Sequence, residues 1–169
     1  MRIVNKIQTC CFIGHKKINE TKELKLRLKE IIEKMITENS VDTFLFGSKS
    51  RFNDLCYEIV TEIKQKYPYV KRVYVRAEYP HISDDYKQHL LQKYENTYYP
   101  ECITNSGKAV YVERNCEMID NSHYCIVYYN VQYAPTTRKS GTEIALEYAR
   151  KRNKEIVLLP KACFTIVNL

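Results

Sequence analysis

The chain has 169 residues, of which 44% are apolar and 28% charged, and its net charge is +7. These proportions are ordinary for a folded globular protein and argue against disorder, and the length suits one domain over residues 1–169. No apolar run approaches the roughly 20 residues of a membrane-spanning helix, so a membrane partner is not expected. Because residues 1–12 show no separable hydrophobic leader, we expect a cytoplasmic protein.

The seven cysteines are odd in number and include no Cys-x-x-Cys pair. This pattern favours reduced thiols over a disulfide framework or a zinc site. Four of them, Cys10, Cys11, Cys125 and Cys163, lie in apolar runs and are interpreted as buried structural thiols. The histidines show no metal-ligand spacing either, so we predict neither a metal site nor a bound cofactor.

The basic residues are scattered along the chain rather than clustered. In residues 20–33, for example, lysine and arginine alternate with glutamate, which is typical of a solvated helix face. The charge of +7 is therefore weak evidence for a nucleic-acid surface, and a nucleic-acid partner is not favoured.

The first half of the chain predicts strands alternating with helices. Residues 8–13 are an apolar run that predicts a buried strand, and residues 21–38 carry apolar positions at spacings of three and four, which predicts an amphipathic helix. Residues 43–46 predict a second strand, and Asn53 or Asp54 would cap the helix that follows it.

The alternation continues to the end of the chain. Residues 79–111 are tyrosine-rich and irregular, which is typical of a lid over a ligand or of a subunit contact. Residues 163–167 would form an edge strand or a docked tail. Further strands are predicted at 71–77, 125–129 and 155–159, and further helices at 112–122 and 141–152. This order predicts an α/β, Rossmann-like fold with a mainly parallel sheet and helices on both faces.

Three loops follow predicted strands and would meet at one edge of such a sheet. The first loop begins with Gly14-His15 and the second with Gly47-Ser48. The third loop spans residues 130–141. Glycines, hydroxyls and cations would then share one crevice, which suits phosphate and ribose. Taken singly, Gly14 and Gly47 are more simply explained as turn residues.

Ser140, Gly141 and Thr142 would open a helix just beyond a strand, where free backbone N–H groups can hold an anion. The same residues could merely cap the helix. Arg114, on the preceding helix, could reach the same crevice and bind a phosphate through two N–H groups. The simpler alternative for Arg114 is a solvated ion pair with Glu113 or Glu117.

Acidic residues near these loops are candidates for catalysis. Glu78 lies at the end of a predicted strand, where ligands approach an open sheet, and Asp84 and Asp85 follow it. His15 could contact a phosphate or a base, or cap its turn.

The chain resembles the SLOG superfamily, and its YpsA-like group most closely. The resemblance covers most of the chain. It rests on Cys-Phe-Ile-Gly-His-Lys at 11–16, Leu-Phe-Gly at 45–47, Glu-Arg-Asn-x-x-Met-Ile-Asp at 113–120, Ser-Gly-Thr at 140–142 and Tyr-Ala at 148–149. It implies a Rossmann-like fold that binds a nucleotide or nucleotide derivative, with Gly14, Gly47, Arg114, Gly141 and Thr142 in the binding positions.

Two departures from the related Lonely Guy enzymes concern catalysis. Those enzymes carry Gly-Gly-x-Gly-Thr-x-x-Glu, whose glutamate, together with an arginine that matches Arg114, supports cleavage of the N-glycosidic bond. Here Arg138 and Lys139 stand near the missing glycines, and the glutamate position is Ala145. Glu143 is close in sequence, but a helix would rotate it by about 200° from that position.

The sequence therefore favours a nucleotide-like small molecule as the partner, bound by a sensor or sequestering protein. The first alternative is a hydrolase or transferase that acts on an N-glycosidic bond. Its catalytic residues would be Arg114 and either Glu78 or Glu143. Single-stranded nucleic-acid binding of the kind seen in DprA-like relatives is the second. A homodimer is also expected, since Lonely Guy-type relatives are commonly dimers.

Overall fold

The computed structural model describes residues 6–160 and the backbone of residues 163–165. The strands are β1 (Gln8–Gly14), β2 (Val41–Phe46), β3 (Lys71–Val75), β4 (Asn96–Tyr98), β5 (Tyr124–Tyr128), β6 (Glu155–Leu159) and β7 (Cys163–Thr165). The helices are α1 (Lys22–Glu38), α2 (Arg51–Lys64), α3 (Asp84–Leu91), α4 (Ala109–Asp120) and α5 (Gly141–Lys151), with a short 3-10 turn at Val131–Tyr133.

The seven strands form one sheet in the order β4-β3-β2-β1-β5-β6-β7. The first six run parallel, and β7 pairs antiparallel with β6 at one edge. Strand β1 pairs with both β2 and β5, so the chain order reverses direction beside β1. A ligand crevice is expected at such a reversal, beyond the carboxyl ends of the strands.

Helices cover both faces of the sheet, and the strand residues alternate between two cores. Phe12, Phe44 and Ile126 face α1 and α2, which contribute residues such as Leu28 and Leu55 to that core. On the other face, Cys11, Leu45, Cys125 and Val127 pack against α4 and α5, with Met118 and Leu146 buried between them. The predicted α/β class and the mainly parallel sheet are confirmed.

Three sequence predictions need correction or fall partly outside the described residues. The cap of α2 is Ser50, whose hydroxyl accepts the N–H of Asn53 at 3.1 Å, so neither Asn53 nor Asp54 is the cap. Residues 79–111 are not merely irregular, since they contain α3 and β4. Cys10, Cys11 and Cys125 are buried as predicted, but the side chain of Cys163 lies outside the described residues. Within the described part of the chain, no helix is long and apolar enough to cross a membrane.

Candidate ligand-binding site

A crevice of about 760 Å³ lies beyond the carboxyl ends of β1, β2 and β3 and extends to the start of α5. Its size falls within the usual range for small-molecule sites. The crevice is lined by all eight residues that the sequence placed in a binding site, namely Gly14, His15, Gly47, Ser48, Arg114, Ser140, Gly141 and Thr142. The structure thus brings these residues together, and their role in binding a ligand stays a prediction.

The lining of the crevice is strongly cationic and rich in tyrosine. Glu78 is its sole carboxylate among the described residues. Against it stand eight cationic residues, Lys16, Lys17, Lys49, Arg76, Lys108, Arg114, Arg138 and Lys139. Five tyrosines, Tyr74, Tyr79, Tyr86, Tyr111 and Tyr133, complete the polar wall. Such a surface attracts anions and offers flat faces for an aromatic ring.

Arg114 is buried, with 5% of its surface exposed, and it connects α4 to the end of β2. Its Nη1 donates to the carbonyl of Gly47, its Nε donates to Asn115 Oδ1 at 3.2 Å, and its guanidinium lies 5.7 Å from the centre of the Tyr111 ring. The predicted alternative, a solvated ion pair with Glu113 or Glu117, is therefore wrong. Glu113 instead accepts from Asn105 at 2.7 Å and Glu117 from Asn121 at 2.8 Å.

The charge of Arg114 is unpaired within the described residues. Burial lowers the pKa of its guanidinium, and the nearby Tyr74, Tyr111 and Glu78 oppose that shift. An arginine keeps its proton at neutral pH even so, because its ordinary pKa is far above 7. A buried cation that faces a crevice without a carboxylate partner is a favourable contact for an anion.

Gly47 is a glycine because Arg114 and Met118 occupy the place of a side chain. A Cβ at this position would lie 2.7 Å from Arg114 Cδ and 2.8 Å from Met118 Sδ, both of which are too close for real contacts. Gly47 also donates its N–H to Asn53 Oδ1 at 3.3 Å. Its role is thus to let the arginine approach the backbone, beyond making a turn.

Gly14 has a different neighbour, the ring of Phe52 on α2. A Cβ at Gly14 would lie 2.3 Å from Phe52 Cδ1, so α2 can sit this close only over a glycine. Asn53, which is buried, donates to the carbonyl of Phe12 at 3.3 Å and thereby connects the ends of β1 and β2. These contacts fix the two glycine loops relative to each other.

His15 is buried and neutral rather than a free cation. Burial lowers the pKa of its imidazole, and its Nε2 accepts the backbone N–H of Asn130 at 3.0 Å, which requires an unprotonated nitrogen. Its ring lies 5.4 Å from that of Tyr129. His15 therefore holds the loop after β5 against the loop after β1, and its Nδ1–H has no hydrogen-bond partner among the described residues.

Glu78 lies just after β3 and is held as a carboxylate. Tyr111 donates its hydroxyl to Glu78 Oε1 at 2.6 Å, and Lys49 Nζ lies 3.8 Å from the same oxygen. The Tyr111 hydroxyl is the main cause that lowers the pKa of this carboxyl, followed by Lys49 and Arg114. A lowered pKa suits a hydrogen-bond acceptor or an electrostatic stabiliser better than a general acid.

The start of α5 presents free donors to the crevice. Ser140 caps the helix by accepting the N–H of Glu143 at 3.0 Å, and the first N–H groups of a helix have no partner within it. A Cβ at Gly141 would meet nothing within 4 Å, so the space above this turn is open. The helix cap and the free N–H groups that face open space therefore coexist.

Ala145, which stands at the position of the Lonely Guy glutamate, and the candidate acid Glu143 both lie outside this lining, whereas Arg114 is part of it. Ala145 is buried in the core between α5 and the sheet, with 2% of its surface exposed. Glu143 lies in the first turn of α5 but does not line the crevice. Of the candidate acids, the geometry leaves Glu78 beside Arg114. No group of three potential metal ligands occurs among residues 6–160.

Sequence reasoning did not select several of the cations and tyrosines of the crevice. Lys49 belongs to the predicted loop that follows β2, whose cations were expected in the crevice, although it was not among the residues selected for binding. Arg76 could have been found by the strand-end argument that selected Glu78, whereas Lys108 and Tyr86 could not, because they reach the crevice from the starts of α4 and α3. Arg76 Nη1 donates to the carbonyl of Tyr79 at 3.1 Å, while its buried Nε has no partner in the described structure.

Comparison with models of known protein families shows which family this chain belongs to. Residues 10–162 match the YpsA family model, which is described as the YspA SLOG family. The chain belongs to this SLOG family. The predicted membership of the SLOG superfamily and of its YpsA-like group is thereby confirmed, and it agrees with the observed fold.

This SLOG chain also resembles a solved structure. The protein is DNA processing protein A from Helicobacter pylori, whose structure is described in terms of its single-stranded DNA binding mode. The TM-score is 0.60 and the sequence identity 16%, and the match covers 91% of this chain and 66% of the other, slightly under two thirds. At this identity the likeness shows a shared fold. A search of curated proteins gives no match.

Proposed function

We propose that this SLOG protein binds a nucleotide or a nucleotide derivative such as ADP-ribose, as a sensor or sequestering protein in the cytoplasm. The observation that carries the proposal is the composition of the crevice, which combines eight cations and five tyrosines with a single carboxylate at the reversal point of the sheet. Phosphates need the cations and the helix start, and a base needs aromatic faces. Membership of the SLOG family supports the same class of ligand.

The proposal places the phosphates near Arg114 and the first turn of α5. Arg114 supplies a buried charge, and the N–H groups of Gly141 and Thr142 supply uncharged donors in open space. Tyr79, Tyr86 and Tyr111 line the same crevice with 63%, 43% and 39% of their surfaces exposed. Exposed tyrosines that surround a cationic pocket are available for stacking on a base.

The test is calorimetric titration of the purified protein with AMP, ADP, ADP-ribose and cyclic ADP-ribose isomers. We expect binding of at least one of them, and release of that ligand chemically unchanged. Arg114→Met should weaken binding by about 10- to 100-fold, because it removes a charge-assisted contact of roughly 1.5–3 kcal/mol. The matched control is Arg27→Met on α1, an exposed site outside the crevice that loses the same charge. Absence of binding across the panel would contradict the proposal.

A second candidate is an enzyme that cleaves an N-glycosidic bond. It is favoured by the ionised carboxylate of Glu78, which could stabilise an oxocarbenium-like transition state while Arg114 holds the phosphate. Chromatography of AMP after incubation should then show free adenine, and Glu78→Gln should abolish its release. If no base appears above a buffer control, this candidate is discarded.

A third candidate is single-stranded nucleic-acid binding, which the sequence did not favour. The likeness to DNA processing protein A, described as a single-stranded DNA-binding protein, counts partly against that expectation, although the identity is 16%. Binding of this kind would weaken steeply with salt. A gel-shift titration with a single-stranded oligonucleotide at low salt tests it, and no shift would remove it.

A homodimer stays part of the proposal, resting on the resemblance to Lonely Guy-type proteins. Light scattering after gel filtration would show twice the mass of the chain. A monomeric mass at high protein concentration would contradict the dimer without touching the ligand proposal.

A further inference from the structure

The carboxylate of Glu78 is not expected in a site that serves only to bind an anion. It is the one carboxylate among the described residues that line a crevice with eight cations. A carboxylate repels phosphate and lowers affinity for it, and like charges held close together cost free energy. Its position is explained if the ligand also presents a group that a carboxylate binds.

The contacts of Glu78 leave one of its oxygens available. Both the Tyr111 hydroxyl, at 2.6 Å, and Lys49 Nζ, at 3.8 Å, approach Oε1. No described residue hydrogen-bonds Oε2, and 31% of the side chain is exposed. An ionised carboxylate is an acceptor only, so the complementary group on the ligand is a hydrogen-bond donor.

The neighbours of Glu78 indicate which donor of a nucleotide it meets. Lys49 is adjacent to it, and Tyr111 links it to Arg114, which lies 5.7 Å from the tyrosine ring. A carboxylate this close to the cations that would hold phosphate is near the sugar, which is bonded directly to phosphate. The base is one ring further away. Carboxylates beyond the strands of dinucleotide-binding sheets accept from ribose hydroxyls in the same way.

We propose that Glu78 accepts a hydrogen bond from a ribose hydroxyl through Oε2 and thereby makes the crevice selective for nucleotides that carry this hydroxyl over the deoxy analogue that lacks it. This inference rests on the proposed nucleotide binding. It assigns Glu78 to ligand specificity, with Tyr111 and Lys49 as the residues that position its carboxylate.

The experiment compares the affinities of ADP, 2′-deoxy-ADP, 3′-deoxy-ADP, IDP and pyrophosphate by calorimetry. For the wild type, we expect ADP to bind about tenfold more tightly than the analogue that lacks the contacted hydroxyl, because a hydrogen bond to a charged group is lost. In Glu78→Met this ratio should fall to about one. Pyrophosphate should bind Glu78→Met as tightly as the wild type or more tightly, since a negative charge has gone.

Three controls separate specificity from damage. Glu78→Gln keeps an acceptor oxygen, so its preference for ADP over the deoxy analogue should lie between those of Glu78→Met and the wild type. Tyr111→Phe removes the hydroxyl that holds Oε1 and should reduce the ratio without abolishing it. Glu30→Met, an exposed site on α1 outside the crevice lining, should leave the ratio as in the wild type. Circular dichroism of each variant checks that it is folded.

The outcomes distinguish this inference from the proposed function. Binding of ADP with an equal ratio in wild type and Glu78→Met would overturn the role of Glu78 and leave nucleotide binding intact. If IDP, which lacks the amino group of adenine, binds more weakly than ADP and this difference disappears in Glu78→Met, the carboxylate contacts the base. That result would also overturn the proposed contact with ribose. If ADP does not bind, the inference fails, and the proposed function fails with it only if AMP, ADP-ribose and the cyclic ADP-ribose isomers do not bind either.

Discussion

At the scale of single residues, the crevice depends on a contact that any side chain at position 47 would break. Gly47→Ala would bring a Cβ to within 2.9 Å of Arg114 Nε and closer still to its Cδ. The arginine must then move away from the carbonyl it binds. We expect nucleotide affinity to fall about tenfold or more and the free energy of unfolding to fall by about 1–3 kcal/mol.

Titration calorimetry and urea unfolding measure these two effects of Gly47→Ala. The control is Gly141→Ala, because a Cβ there meets nothing within 4 Å and alanine is the better residue in a helix. This variant should be as stable as the wild type or slightly more stable. Retention of full affinity by Gly47→Ala would show that the position of Arg114 is irrelevant to binding.

The sequence located the site residues better than it explained them. Gly14, Gly47 and Gly141 were correctly placed at one edge of the sheet, because strand ends and glycines are visible in a sequence. The reasons for Gly14 and Gly47 were not visible, since they depend on residues distant in the chain, Phe52 and Arg114 respectively, whereas a Cβ at Gly141 would meet nothing within 4 Å. Glu78 was a candidate from its strand-end position, but its partner Tyr111 lies 33 residues away.

At the scale of elements, the first turn of α5 has to be held open by its cap. Ser140→Ala removes the hydroxyl that accepts the N–H of Glu143, and loss of such a cap costs about 1 kcal/mol. We expect a lower melting temperature and, because this turn lines the crevice, weaker nucleotide binding. Differential scanning fluorimetry with and without ADP measures both.

Thr21→Ala is the matched control for this cap. Thr21 caps α1 in the same way, accepting the N–H of Leu24 at 3.0 Å, and both residues lie outside the crevice lining. Its loss should affect stability alone. Equal effects of the two variants on ADP binding would show that the α5 turn takes no part in the site.

Elements were predictable from sequence where their apolar pattern was long. Strand β6 was predicted with the observed bounds, and α1 differs only in that Thr21 is its cap. Helix α3 was missed because Leu90 is its one buried residue, so no apolar stripe marks it. Strand β4 has three residues, which is too short for an alternating pattern to emerge.

At the scale of the whole molecule, the charge of the crevice should govern how binding responds to salt. Eight cations face one carboxylate there, so an anionic ligand gains from all of them over distances that salt screens. We expect affinity for ADP to fall as NaCl rises from about 50 to 500 mM. The fall should be smaller in a Lys16→Gln/Lys17→Gln variant.

The control for this salt effect is Lys22→Gln/Lys25→Gln on α1, outside the crevice lining, which removes the same net charge. Its salt dependence should match that of the wild type. If both double variants respond alike, net charge alone would explain the effect, and the local charge of the crevice would have no special role.

Acid should destabilise the fold through the contact that holds the loop between β1 and α1. Arg51 donates to both oxygens of Glu20, at 2.6 and 2.7 Å, and its backbone N–H donates to the carbonyl of Lys16 at 3.1 Å. Arg51 is also the main cause that lowers the pKa of Glu20 from its ordinary 4.5 to about 2. The unfolded chain, with the ordinary pKa, therefore takes up a proton at higher pH than the folded chain does.

The stabilisation from Glu20 is thus complete above about pH 4.5 and is lost as the pH falls through about 2. In urea unfolding followed between pH 7 and 2, Glu20→Gln should be less stable than the wild type at neutral pH, and the two curves should converge in acid. Glu30→Gln, an exposed site on α1 with the same charge change, should keep the slope of the wild type. Parallel curves for Glu20→Gln and the wild type would mean that the Arg51 contact contributes no pH-dependent stability, and the loop that carries Lys16 and Lys17 into the crevice would then be held by its other contacts, such as the N–H of Asn19 that donates to the Tyr128 hydroxyl at 3.2 Å.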